Sequence, residues 1–309
     1  MTVVDPGWFD QSAHRLRFGW GPNGLRVLAP GASVVVIVDV LSFSTAVDVA
    51  VDRGAIVLPY RWHDGSEGDY ARANDAIVAR RGPPGGGSGP PDPGSGSSAG
   101  GHGYSLRPSS LTTIGAGVRL VLPSPNGSAL TFGAVEAGRG ARGSAGDGGR
   151  LVLVGCLRNA TAVGLTAAAA ASVAGGEGGA GGGNGSVAVI AAGERWRGTT
   201  GPLRPAVEDL LGAGAVLDAV AAASEWSAGS GASGPRPSPE ALAAIAAFRE
   251  AADDLPARLR DGGSGRELIA RGHPGDVELA AALDVSPAVP TLVGNELVDG
   301  SGAGPRPVA

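Results

Sequence analysis

Short, wholly apolar runs alternate along this chain with Ala-rich stretches, and four of those runs end in a small polar cluster that opens a helix. Val34 to Val38 leads into Asp39 and then Ser42, Ser44 and Thr45, and Arg119 to Leu122 leads into Pro125-Asn126-Gly127-Ser128. Leu151 to Val154 leads into Arg158-Asn159-Ala160-Thr161, and Val187 to Ile190 leads into Gly193-Glu194-Arg195. Strands alternating with helices argue for βαβ units and an α/β fold with a mainly parallel sheet and flanking helices. Ligands of such sheets bind outside the carboxyl ends of the strands, where helix N-termini point free N–H groups, so the four clusters could share one site.

The remaining pattern extends the alternation. Ser44 to Arg53 reads as a short helix stopped at Gly54, Ala55 to Tyr60 as a strand, and Asp69 to Arg81 as helical. Ser128 to Ala137, Ala160 to Ala174 and Ala206 to Ala223 are predicted helices. Ser238-Pro239-Glu240 supplies an N-cap with proline at the first helical position, opening a helix to about Arg260. Ser264 and Glu267 have capping-box spacing, Asp276 to Leu283 is helical, and an apolar strand falls near Val289 to Val293. Residues 1–295 are thus expected to form a single α/β domain, and 296–309 a loose tail.

Composition modifies this picture in one respect. The 43% of apolar residues suffices for a sizeable core, but 55 Gly and 23 Pro are too many for a compact fold of 309 residues. They concentrate near 82–103, 138–150, 175–185 and 227–238, Gly/Ser/Pro-rich stretches that bury too little apolar surface to offset ordering entropy and are expected to be flexible insertions.

Charge and residue usage exclude several functions. A formal net charge of −5 without a basic run argues against nucleic acid or an anionic membrane as partner. No run approaches membrane-spanning length and residues 1–20 have no apolar signal-like segment, so the expectation is a cytoplasmic protein, with a homo-oligomer left open. All 24 basic residues are arginine, which removes Schiff-base, P-loop and kinase lysines together. An anionic ligand must then be held by arginine, backbone N–H groups or a metal. Cys156 is the single cysteine, lacks the arginine of a phosphatase loop six residues on, and reads as a small buried residue. The four histidines have no zinc spacing.

The candidate chemistry rests on carboxylates. Asp39 stands where an apolar strand stops, facing the helix openings. Glu208 and Asp209 follow Pro205 in the first turn of a helix, about 100° apart, so at least one can turn to that edge, although both also complement the helix dipole. Carboxylates with water and a substrate phosphate form the oxygen-rich environment that Mg2+ prefers. Asn126, Gly127 and Ser128 could present N–H groups to an anion, and Ser44, Thr45 and Asn159 are further candidate caps or contacts.

In this order, Val38-Asp39-Val40-Leu41-Ser42-Phe43-Ser44-Thr45, Asn126-Gly127-Ser128, Gly155-Cys156-Leu157-Arg158-Asn159-Ala160, Ala192-Gly193, Glu208-Asp209 with Ala213-Gly214, and Gly272 to Asp276 resemble the 2-phosphosulfolactate phosphatase family. The resemblance runs from about residue 34 to 292. It implies an α/β fold and Mg2+-dependent hydrolysis of 2-phospho-3-sulfolactate to sulfolactate and phosphate, a step in coenzyme M biosynthesis. Two positions depart from the family pattern: Ser42 stands where members usually carry arginine, and Arg107-Pro108-Ser109-Ser110 where they usually read Gly-Asn-Ser-Pro.

On this reading Asp39, Glu208 and Asp209 hold Mg2+, with Asp39 and Asp209 catalytic. Asn126, Gly127 and Ser128 donate to the phosphate with help from Ser44, Thr45 and Asn159, and Arg158 or Arg195 pairs with the substrate's other anionic group. Whether Asp39 is ligand, general base or nucleophile stays open. The alternatives are a diverged, non-catalytic anion-binding protein of the same fold and a phosphatase for a different small carboxylic acid phosphate.

Overall fold

The computed structural model describes residues 9–61, 65–80, 103–140, 150–175, 185–196, 201–223 and 237–302. The bulk of each of the four Gly-rich stretches lies outside the described residues. The fold is α/β, built on a nine-stranded, mostly parallel sheet with helices packed on it.

Strands β1 (Leu16–Trp20), β7 (Val187–Ala191), β2 (Val34–Val38) and β6 (Leu151–Gly155) form one parallel block in that spatial order. Strands β3 (Ile56–Tyr60), β5 (Arg119–Pro123) and β4 (Ile77–Val78) form a second. Between the blocks sits a hairpin of β10 (Pro290–Val293) and β11 (Glu296–Asp299). It pairs antiparallel with β6 through Thr291 and Leu153, and with β3 through Leu297 and Val57, so the two blocks run in opposite senses.

All five residues of β2 are buried, because helices cover both faces of the sheet. Successive side chains of a strand point to opposite faces. Val34, Val36 and Val38 pack with α5 (Ala160–Gly175), α6 (Val207–Ala222) and α7 (Pro239–Ala251). Val35 and Ile37 pack with α1 (Gly21–Leu28) and α4 (Gly127–Gly140), the latter through Leu130 and Ala134. Helix α2 (Phe43–Asp52) lies in a third cluster with Val57, Leu120, Leu122 and Leu297. Ser238 caps α7 as its sequence position predicts, its hydroxyl accepting the Ala241 N–H at 3.1 Å.

Several expectations are corrected. Residues 296–299 are strand β11 in the middle of the sheet, not the start of a loose tail: Leu297 is fully buried and pairs with β3. The helical reading of 69–81 gives way to α3 (Glu67–Ala73), a turn with Asp75 at φ 50°, and strand β4, where β-branched Ile77 and Val78 add to β5. Ser264 does not cap a helix. The cap position of α9 (Gly263–Ala270) is Gly262, and the Ser264 hydroxyl instead accepts from Arg204. The strand β1 carries no expectation from the pattern, and its partner β7 lies far away in the chain.

Helix α8 (Leu255–Asp261) precedes α9 in the chain and α10 (Pro274–Ala281) follows it. Among the described residues no helix is long and apolar enough to cross a membrane.

Candidate active site at the ends of β2, β5 and β7

Three of the four strand ends converge. Asp39 leaves β2 and is 5% exposed; its Oδ2 accepts the Gly127 N–H at 2.9 Å, and the Phe43 N–H also points to its carboxylate. A carboxylate from one strand end thereby caps the helix that follows another, a charge-assisted bond at the positive end of α4. Glycine at 127 is required by packing: a Cβ there would overlap the Phe43 ring.

The loop after β7 brings the second contribution. Gly193, at φ 66°, donates its N–H to Asp209 Oδ2 at 2.8 Å, while Asp209 Oδ1 accepts the Val40 N–H at 2.7 Å. Asp209 thus ties the turn after β2 to the turn after β7, and both its oxygens are engaged by backbone. Glu208 beside it is 2% exposed, and no described residue donates a hydrogen bond to its carboxylate. Glu194 Oε2 lies 3.4 Å from Asn126 Nδ2, which joins the β5 loop to the cluster.

The electrostatics follow from this crowding. Burial, then the charge of Glu194, pushes the Asp39 carboxyl up to about 7 against the opposing hydrogen bonds of Gly127 and Phe43. Asp209 is pushed well above the ordinary carboxylate range by burial and then by Asp39 and Glu208. Glu194 is raised by burial and by Glu208, with Arg204 pulling the other way. Like charges in a shared low-dielectric site disfavour their ionised forms.

The other sequence candidates have internal partners. Ser44 is fully buried, accepts the Asp39 N–H at 2.8 Å and reaches the Ile37 carbonyl, and Thr45 donates to the Val40 carbonyl at 2.7 Å; both shape the turn that presents Asp39. Ser128, also fully buried, donates to the Leu122 carbonyl. The Gly127 N–H is divided between Asp39 and Ser124 Oγ. Asn126 is the half-buried member of that trio that stands in the cluster.

The end of β6 is turned elsewhere. Arg158 pairs with Asp48 of α2 at 2.7 Å and donates to the Leu279 carbonyl. Asn159 is fully buried, its Oδ1 accepting the Cys156 N–H and its Nδ2 donating to the Ala288 carbonyl. Burial pushes the Cys156 thiol up, which suits an inert core residue. Arg107, in one of the departing segments, lies 3.0 Å from His273 Nδ1, and Ser109 donates its N–H to Asp276.

A two-stranded ribbon, β8 (Glu194–Arg195) and β9 (Leu203–Arg204), borders the cluster. Glu194 faces Arg204 across it and Arg195 faces Leu203. Because alternate residues point to opposite faces, Arg195 is directed away from Glu194, and its Nη1 donates to the Gly201 carbonyl. Glu194 and Arg204 are therefore the site residues that the sequence reading passed over as ligand contacts. Their signal, two opposed charges at pairing positions, becomes visible once the ribbon register is known.

Among the described residues, no three His, Cys, Asp or Glu side chains form a ready metal-holding group. No protein-family model matches the chain, and no curated protein matches it.

Proposed function

We propose that this protein is a Mg2+-dependent phosphatase acting on the phosphate monoester of a small 2-hydroxy acid, with 2-phospho-3-sulfolactate as the substrate the sequence resemblance suggests. The observation that carries the reading is Glu208, buried to 2% exposure with no hydrogen-bond donor among the described residues, beside Asp39, Asp209 and Glu194. Among the described residues such a cluster is short of positive charge, and a hard divalent cation is the partner its donors suit. Mg2+ keeps several waters and takes one or two carboxylates together with substrate phosphate oxygens, so a three-carboxylate cage is not required.

Asp39 and Glu208 are the residues that would hold the cation. Asp209 suits that role poorly because both its oxygens already accept backbone N–H groups; it positions the turns that carry Asp39 and Gly193. When bound, the cation neutralises charge developing on the phosphoryl oxygens. The Asn126 amide can donate to a phosphate oxygen if it releases Glu194. Asp39 holds a proton up to about pH 7 and must lose it to serve as ligand, so proton and cation compete at this carboxylate.

A second reading, a non-catalytic anion-binding protein, is favoured by one observation: the Gly127 N–H and the Ser128 and Asn159 side chains are all spent within the chain. One assay separates the two, phosphate release from 2-phosphosulfolactate and 2-phospholactate with and without Mg2+, for the native chain and for Asp39→Asn. The phosphatase reading expects Mg2+-dependent release from the native chain and loss of at least a hundredfold in a folded Asp39→Asn protein. Ligand-induced thermal stabilisation without any release would replace it by the binding reading.

A further inference from the structure

An anionic 2-hydroxy acid phosphate carries a second negative group, and the two arginines that the sequence offers for it are both committed. Arg158 is paired with Asp48, and Arg195 is on the far face of the β8–β9 ribbon. Arg204 is differently placed. It stands directly across the ribbon from Glu194, on the same face, and directly opposed residues on one face have Cβ atoms about 5 Å apart.

Its guanidinium is held in a fixed plane. The Cζ lies over the Trp196 ring, 5.7 Å from its centroid, and Nη2 donates to Ser264 Oγ at 3.1 Å. Cation–π stacking and one hydrogen bond orient the group without consuming it, since a guanidinium has five N–H donors. Among the described residues Arg204 forms no ion pair; Glu194 feels its charge but lies outside ion-pair distance. It is also half-buried at the border of the carboxylate cluster, not inside it.

The geometry points to Arg204 as the residue that recognises the carboxylate or sulfonate of the substrate, its fork presented beside the cluster by Trp196 and Ser264. This assignment rests on the proposed phosphatase site. It makes Arg204 a specificity-determining residue: it contacts the unreactive anionic end while the phosphate lies toward Asp39 and Asn126. A planar fork matches a carboxylate or sulfonate through two parallel N–H···O bonds, which an ammonium on a flexible stem does not reproduce.

The test compares three phosphate esters: 2-phospholactate, 2-phospho-3-sulfolactate, and isopropyl phosphate, which keeps the skeleton of phospholactate but has a methyl in place of the carboxylate. KM and kcat are measured for the native chain and for Arg204→Gln, Arg204→Lys and Ser264→Ala, with thermal denaturation to show that each is folded. Arg204→Gln is expected to raise KM at least tenfold for phosphosulfolactate, equally for phospholactate where the carboxylate is the group held, and less than twofold for isopropyl phosphate. Arg204→Lys should recover part of the loss, and Ser264→Ala should shift the same ratio a few-fold. A larger effect on phosphosulfolactate than on phospholactate assigns the sulfonate; an equal effect assigns the carboxylate. Equal losses on all three esters, or none, would overturn the assignment.

Calorimetric binding of the same esters keeps the two proposals separable. Absence of turnover with Arg204-dependent preference for the anionic esters removes the phosphatase reading and retains the recognition role. Turnover without that preference does the reverse, and a native chain that neither binds nor hydrolyses any ester overturns both.

Discussion

The ends of β2 and β6 lie side by side in the sheet, with Val38 paired to Gly155, yet they treat their polar residues in opposite ways. At β6, Arg158 and Asp48 form a close pair through Asp48 Oδ2, Oδ1 being buried without a hydrogen-bond partner among the described residues, and Asn159 spends both ends of its amide on backbone, so each residue named there has a partner from the chain itself. At β2, Asp39, Asp209, Glu208 and Glu194 are gathered with Arg204 as the nearby cation, and burial and mutual repulsion raise the proton affinity of three of them. Internal pairing marks β6 as scaffold. Uncompensated like charge marks β2 as a place where a ligand can lower the energy of the folded chain.

The comparison can be broken most forcefully from the scaffold side. Arg158→Leu leaves Asp48 buried and unpaired, and removing one partner of a buried pair costs about 3 kcal/mol or more. Asp48 is held at about 6, chiefly by burial with Arg158 opposing, so the loss in urea denaturation should be larger at pH 8 than at pH 5. Adding Asp48→Asn should restore part of the stability, and KM for phospholactate should stay within twofold of native. A tenfold rise in KM would return Arg158 to the binding site.

Gly127→Ala strikes the junction from which the site is built. The added methyl would overlap the Phe43 ring, and overpacking of a close-packed interior costs about 1–3 kcal/mol. Its N–H would also be displaced from Asp39, so the same variant should lose most of the proposed phosphatase activity while remaining folded. Full activity in the Ala variant would mean that this contact does not organise the site.

The smallest effect sharpens the comparison through pH. Asp39 and Asp209 have folded-state values raised above 3.8, so between that pH and about 7 the folded chain binds more protons than the unfolded one. Their contribution to stability is therefore complete below about pH 3.8 and is lost as pH rises through the folded-state values. Asp209→Asn removes one such proton and leaves Val40 or Gly193 without a good acceptor, at a cost of about 1 kcal/mol near pH 5. Melting temperature against pH should fall less steeply for this variant than for the native chain between pH 5 and 7. A parallel pair of curves would show that the cluster does not couple to folding.

How far the sequence reached depends on the range of each signal. The strand–helix alternation and the Ser238 cap were legible because β-branched runs, a cap hydroxyl and a proline act on their own neighbours. Residues 296–299 were misread for the converse reason. Glu-Leu-Val-Asp is too short to announce a strand, and it becomes one because β10 and β3 supply hydrogen-bond partners on its two sides.

Candidate residues divide in the same way. That Asp39 ends an apolar strand, and that Glu208 and Asp209 open a helix, follows from residue order alone. Which carboxylate is engaged and which is free depends on the Val40 and Gly193 N–H groups, supplied by two turns far apart in the chain. Arginine content and local spacing offered Arg158 and Arg195 for an anion. The register of a two-residue ribbon and the position of Asp48 turn those two away and bring Arg204 beside Glu194.

By itself, then, the sequence determined the α/β class, the strand ends where polar chemistry collects, and the residue types available there, since these depend on periodicity and composition. The tertiary structure alone decided which of those groups meet, which are already paired and which charge is left without a partner. Pairing is a property of distance and dielectric between residues that the chain order separates, and no local pattern encodes it.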